Sequence, residues 1–371
     1  MSVDYALDEP PSDAISAVQF STSSQRLAVA SWDRTISIYV RKDENTSSRF
    51  KLLERVQCRA PVLDLAWGAD DNTLFFVGLD HDVRKVDLGA EDLTQTVLSY
   101  HEQPSNKILH SHELGLVLST GWDSILHVHN TTTSEGRSLL RVRLPGKPFA
   151  LALTPERAVI AMAERKVSVY DLRALKMLTE QTADTGMSSN ADIGEVEVHD
   201  ITPWQTRESN LKFMTRAVAT MPDGTGFATS SIEGRVAVEW FDAEKAANTY
   251  AFKCHRQTST QTAEDGTEQE ADVVYPVNAL AFNRPHGTFA TGGGDGVIAF
   301  WDAQTKRRVK QYPKLGASVA ALDFSDDGKY LAIGVSPGFE DGNEDVENDA
   351  GLVKILIKEL AENEAKGKAA K

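Results

Sequence analysis

Apolar and polar residues alternate with a period of two along most of this chain, as in Thr35-Ile36-Ser37-Ile38-Tyr39 and Val236-Ala237-Val238. That period places successive side chains on opposite faces of a strand, so the pattern predicts a chain of short β-strands. No amphipathic helix of useful length is expected before the tail. One unit recurs: an alternating strand, a turn, a second strand ending in small residues, a turn with an acidic residue, then a third strand. The first strands are AISAVQF, PVLDLAW, NKILHSH, PFALALT, RAVATM, VNALAF and SVAALDF. The acidic turn residues are Asp33, Asp80, Asp123, Glu164, Glu233, Asp295 and Asp349, at spacings of 47, 43, 41, 69, 62 and 54 residues. The first three spacings lie near the ~40–45 residues of a four-stranded propeller blade.

Strands at such spacing fit a sandwich, a barrel or a propeller. Sevenfold repetition favours the propeller, because radial repetition leaves few open sheet edges. The fold class expected is therefore all-β, a single seven-bladed β-propeller over residues 1–358, with residues 359–371 as a flexible, Ala/Lys/Glu-rich tail. The seventh unit lacks a fourth strand of its own. Val3, Tyr5 and Leu7 alternate ahead of Glu9-Pro10-Pro11, so the N-terminus is expected to supply it and close the ring.

Charge changes the picture. The net charge of −15 is concentrated in three stretches, Asp184–Asp200, Gln261–Asp272 and Gly338–Asp349. These hold 16 acidic residues and no lysine or arginine, enough to account for the whole imbalance. Each falls within one of the long spacings, which reads as blades with acidic, loop-like insertions on a nearly neutral framework. A nucleic-acid binder would show the opposite balance, so no direct DNA contact is expected. No apolar run approaches the ~18 residues of a membrane span, and the start MSVDYALDEPPSD does not read as a secretion signal. Cys58 and Cys254 form no CxxC pair and read as structural residues of a reduced nuclear or cytosolic protein.

Against this acidity, the stretch from Ala228 to Arg256 gathers positive charge. It reads as three strands, Phe227–Ser230, Arg235–Phe241 and Thr249–Cys254, with the first turn at Ile232-Glu233-Gly234. In a blade, the turn between the second and third strands shares an end with the start of the first strand and the finish of the fourth. Arg216, Arg235 and Lys253 therefore converge on one end of the fifth blade. Two readings stand: a solvated face paired with Glu233 or Glu239, or a receptor for an anionic peptide.

Trp32 sits in the corresponding turn of the first blade, where it either packs between turns or anchors an extended peptide. Trp122 has the equivalent position in the third blade; Trp67, Trp204, Trp240 and Trp301 read as packing residues. Catalytic patterns are absent. Gly292–Gly296 is followed by a strand instead of a helix, so it is a blade turn and not a phosphate loop. His110/His112 and His127/His129 each share one side of a strand, but with no third ligand apparent no metal is expected. Asn45-Thr46-Ser47 and Asn130-Thr131-Thr132 read as polar loops. The protein is expected to be no enzyme and to use no cofactor.

The blade endings carry a family resemblance. Trp301-Asp302, after Gly293-Gly294-Asp295-Gly296, matches a WD-repeat ending, with Tyr170-Asp171 and Val86-Asp87 as looser versions. SWD (31–33), GWDS (121–124), RESNLKFMTR (207–216), SSIEGRVAVEWFD (230–242), YAFKCHR (250–256), YPVNALAF (275–282) and TFATGGGDG (288–296) together resemble the mitotic checkpoint Bub-three family of WD40 propellers. The likeness runs over residues 5–357, and the Rae-one/Gle-two messenger-RNA export factors are the near relatives.

The resemblance implies a spindle assembly checkpoint adaptor at the nucleus and kinetochore, also cytoplasmic. It implies that Arg216, Arg235 and Lys253 bind phosphorylated Met-Glu-Leu-Thr repeats of the kinetochore scaffold. It further implies that Trp32, Asp33, Trp122 and Arg235 face the GLEBS motif of a checkpoint kinase or pseudokinase of the Bub/Mad type. The chain would then be a monomeric propeller within a hetero-complex, acting on regulators of the anaphase ubiquitin ligase indirectly. The alternative implied is an export factor holding a nucleoporin GLEBS motif. Met214 departs from the family, which more often has a polar residue before the Thr-Arg pair, and this touches the contacts of Thr215.

Overall fold

The computed structural model describes residues 3–44, 47–132, 138–184, 196–262, 268–338 and 350–367. Seven antiparallel sheets form the blades of a propeller, each with its first strand innermost. The blades begin at Ile15, Val62, Ser105, Pro148, Thr215, Val277 and Ser318. The second strands are almost wholly buried, for example Leu116–Gly121, Gly226–Ser231 and Tyr330–Ser336, because both faces of a blade pack against neighbours. Small residues there (Ala28, Ala30, Ala158, Ala161, Ala228, Ala290, Ala332) let the blades approach closely.

The ring closes as expected. Val3–Ala6 pairs antiparallel with Lys354–Glu359, Val3 opposite Glu359 and Ala6 opposite Leu356. Lys358 Nζ contacts both Asp4 carboxylate oxygens, at 2.6 and 2.8 Å. Polar side chains on the first strands tie blade to blade. Phe20 N–H donates to Asp323 Oδ2 across the first–seventh seam (2.8 Å), Trp67 N–H to Gln19 Oε1 (3.1 Å), and Ile108 N–H to Asp64 Oδ2 (3.1 Å).

The insertions differ from the loops expected of them. A helix, α1 (Leu172–Asp184), leaves the third strand of the fourth blade, where none was expected. Ala174 N–H donates to Asp171 Oδ1 (3.0 Å), so Asp171 caps it, and Leu172, Leu175 and Thr179 form its buried stripe. The two-residue strand Val198–His199 then pairs in parallel with Ser138–Arg143, covering the outer edge of the third blade. Between the fifth and sixth blades, Arg256–Thr262 and Glu268–Val274 make a separate two-stranded ribbon in place of a loop. Most of the third insertion, with its turn residue Asp349, lies outside the described residues.

The tail expected to fray from residue 359 is docked as far as residue 367. Ala365 is buried, and its carbonyl accepts from Thr288 Oγ1 (2.6 Å). The largely buried Glu364 carboxylate takes Lys310 Nζ (2.5 Å) and Tyr312 O–H (2.9 Å), and Ala361 N–H donates to its other oxygen (3.0 Å). Residues 368–371 lie outside the description. Among the described residues, no helix is long and apolar enough to cross a membrane.

Candidate functional site

The fifth blade is built from Thr215–Thr220, Gly226–Ser231, Arg235–Trp240 and Tyr250–Lys253, within one or two residues of the predicted strands. Thr215 pairs with Ser231, Ser230 with Val236, and Arg235 with Lys253. These registers bring Arg216, Arg235 and Lys253 to one end of the blade. Gly234 closes the turn at φ 63°, and a Cβ there would stand 2.6 Å from the Cys254 carbonyl oxygen, so only glycine fits.

Arg235 and Lys253 stand directly opposite on neighbouring strands, a placement that destabilises a sheet when both charges are positive. Arg235 Nε is 3.2 Å from Glu233 Oε1, close enough for an ion pair but without hydrogen-bond alignment. Lys253 is exposed and has no partner among the described residues. Exposed Arg216 reaches the sixth blade, donating from Nε (3.2 Å) and NH2 (3.0 Å) to Asn278 Oδ1. Glu239, the other carboxylate expected to neutralise the cluster, is buried near Arg207 NH1 (3.8 Å). Desolvation pushes its pKa upward against the pull of Arg207.

The ribbon starts beside this cluster. Arg256 NH2 donates to the Glu233 carbonyl (3.0 Å), and its NH1 lies 3.9 Å from the Asp272 carboxylate. Sequence reading also missed an apolar group at the same end of the blade. Phe213, Met214 and Ile232 are all exposed, and Ile232 N–H donates to the Met214 carbonyl (3.1 Å). Thr215 is buried and holds its place in the strand despite Met214.

The turns between second and third strands bring Trp32 and Trp122 to the same rim of the ring. Trp32 is 44% exposed. The Asp33 carboxylate accepts four bonds inside the protein, from Ser12 N–H (2.9 Å) and O–H (3.2 Å) and from Thr35 N–H (2.9 Å) and O–H (2.7 Å). Asp33 thus shapes the turn that presents Trp32. Trp122 is half-buried, with Lys147 Nζ 4.7 Å from its ring centroid. Trp67 and Trp240 are core residues and Trp301 is partly buried, whereas Trp204 is 46% exposed beneath the Arg157 guanidinium, 4.3 Å from the ring centroid.

The histidines are built into the fold. His255 Nδ1 lies 2.8 Å from Asp295 Oδ1 and its Nε2 lies 2.8 Å from Thr291 Oγ1, which also accepts from the Trp301 indole (3.0 Å). Where the second blade meets the third, His101 stacks on His127 at 3.8 Å, and Ser99 Oγ lies 2.9 Å from both His127 Nδ1 and His129 Nε2. Burial, with His101 nearby, lowers the His129 pKa to about 3 and holds that of His127 well below the usual range. No group of His, Cys, Asp or Glu suited to a metal occurs among the described residues.

The model of the WD domain, G-beta repeat, matches residues 5–39 and 272–302. The chain is 36% identical over 369 residues to the mitotic checkpoint protein BUB3.1 of Arabidopsis thaliana, spanning 98% of this chain and 94% of that one. It is 31% identical over 359 residues to the mitotic checkpoint protein bub3 of Dictyostelium discoideum, spanning 96% and 95%. It is also similar to a poly(A)+ RNA export protein of Schizosaccharomyces pombe, at 28% identity over 367 residues, spanning 98% and 92%.

Proposed function

The chain belongs to the family of the mitotic checkpoint Bub3 proteins, and from that premise we propose that it is a non-enzymatic checkpoint adaptor whose fifth blade reads a phosphopeptide. The ligand is a phosphorylated Met-Glu-Leu-Thr repeat of the kinetochore scaffold. The GLEBS motif of a Bub/Mad-type kinase or pseudokinase lies on the same rim, over Trp32 and Trp122. Binding both would bring the kinase to kinetochores in the nucleus and delay anaphase.

One observation carries this reading: Arg235 directly opposite Lys253, with Arg216 at the same end of the blade. Phosphorylation adds about −1.5 to −2 charges, which offsets the like-charge pairing of Arg235 with Lys253. Two guanidinium groups can grip phosphate oxygens in pairs while Lys253 supplies a point charge. Each charge-assisted bond contributes about 1.5–3 kcal/mol, enough to separate a phosphorylated peptide from its unmodified form.

Arg235→Ala is expected to abolish binding of the phosphothreonine peptide in a calorimetric titration and to leave the melting temperature unchanged. Equal wild-type affinity for the phosphorylated and unmodified peptides would overturn the mechanism. The likeness to an RNA export protein supports a second reading, in which the same rim holds a nucleoporin GLEBS motif. A pull-down that recovers nucleoporin and no checkpoint kinase would favour it.

A further inference from the structure

Every blade has a bulge near the start of its first strand, with register shifts at Ile15/Ala17, Val62/Asp64, Ser105/Lys107, Pro148/Ala150, Thr215/Val218, Val277/Ala279 and Val319/Ala321. A bulge re-aims the extra residue's side chain. In three blades that side chain is short, polar and bonded to the next blade. Ser16 Oγ donates to the Val62 carbonyl (2.6 Å), Asn106 Nδ2 to the Pro148 carbonyl (2.9 Å), and Asn278 Nδ2 to Ser318 Oγ (3.0 Å).

In the fifth blade a bulge residue is Arg216, and here the seam is made by a cation. Its Nε and NH2 donate to one oxygen, Asn278 Oδ1. A guanidinium has five N–H donors, so three remain for a ligand. The acceptor is a neutral amide, itself held from behind by Ser318. No carboxylate is within ion-pair distance of Arg216 among the described residues, although Arg235 at the same end of the blade is paired with Glu233.

We propose that Asn278 is the positioning residue of the anion site: it fixes the Arg216 guanidinium while leaving its charge uncompensated. The proposal rests on the reading of Arg216 as a phosphate ligand. Fixing the guanidinium before binding reduces the rotamer freedom lost on binding. A carboxylate in the same place would orient it equally well but compete with phosphate for the charge.

The test is a double-mutant cycle on the full chain, titrated with phosphorylated and unmodified repeat peptide, with melting temperature as the control for folding. Asn278→Ala is expected to weaken the phosphopeptide by about three- to tenfold. It should cost nothing further once Arg216→Ala is present, because the two act as one unit. The near-isosteric Asn278→Asp keeps the Oδ1 acceptor for Arg216 and puts a carboxylate oxygen in place of Nδ2, where it can accept from the Ser318 hydroxyl. It is expected to fold as the wild type does, yet to lose phosphopeptide affinity and to narrow the preference for phosphate. Wild-type affinity in Asn278→Asp, or additive losses for Asn278→Ala and Arg216→Ala, would overturn the proposal and mark Asn278 as a seam residue alone. Wild-type affinity in Arg216→Ala would instead overturn the site reading on which it stands.

Discussion

At the seam between the first and seventh blades, Asp323 accepts the Phe20 N–H and has no cation within ion-pair distance among the described residues. Desolvation of its half-buried side chain raises its pKa to about 7. Between the unfolded value near 4 and about 7, the native state holds a proton that the unfolded chain has released, so this group's contribution falls as pH rises through that window. Asp323→Asn keeps an acceptor for Phe20 and removes the charge. Its stability relative to the wild type is expected to grow from pH 5 to pH 8, with a ceiling of about 4 kcal/mol for a three-unit shift. A pH-independent difference in chemical denaturation would contradict this. His127 and His129 act in the opposite sense: their pKa values are depressed, so their contribution is lost as pH falls below about 6.5. The thiols give a separate check. Burial raises both Cys58 and Cys254 to about 12, so both should resist thiol reagents at pH 8 until the chain unfolds.

Helix α1 and the strand Val198–His199 act as one element, a cover over the outer edge of the third blade. The buried Arg141 donates from NH1 to the Val196 carbonyl (3.1 Å), and Leu172 and Leu175 join the core shared by the third and fourth blades. Leu175→Ala is expected to destabilise the protein by about 2–5 kcal/mol in denaturant unfolding, as for other buried leucines. A loss below about 0.5 kcal/mol would mean that the helix is peripheral to the fold. The signal for this helix was present: Asp171 as cap, then Leu172, Leu175 and Thr179 on one face. The stronger strand pattern around it masks this signal, and the stretch merges into an acidic insertion. The ribbon shows the same difficulty. Arg256–Thr262 is polar on both faces and its partner alternates only over Glu270–Val273, too short a run to announce a pair of strands.

The whole molecule is a ring, and its closure depends on four residues from the opposite end of the chain. Besides the pairing of Val3–Ala6, Leu7 N–H donates to the Ile355 carbonyl (2.8 Å), and Leu7 packs in the core between the first and seventh blades. Deleting residues 1–9 is expected to lower the melting temperature by more than about 5 °C, because it exposes a sheet edge and part of that core. An unchanged melting curve would refute the dependence on closure.

The sequence by itself determined the all-β class, the seven repeats, the closure by the N-terminus and the end of the fifth blade where Arg216, Arg235 and Lys253 gather. Each of these follows from period, spacing and strand polarity, which are local properties summed along the chain. Tertiary structure alone decided how the charges are partnered. Arg216 meets Asn278 from 62 positions away, Arg207 and not Arg235 lies beside Glu239, and Asp33 turns inward to Ser12 and Thr35 while Trp32 remains exposed. Such choices depend on distances of a few ångströms between blades, and no periodicity in a sequence encodes which of two nearby carboxylates or amides a guanidinium will reach.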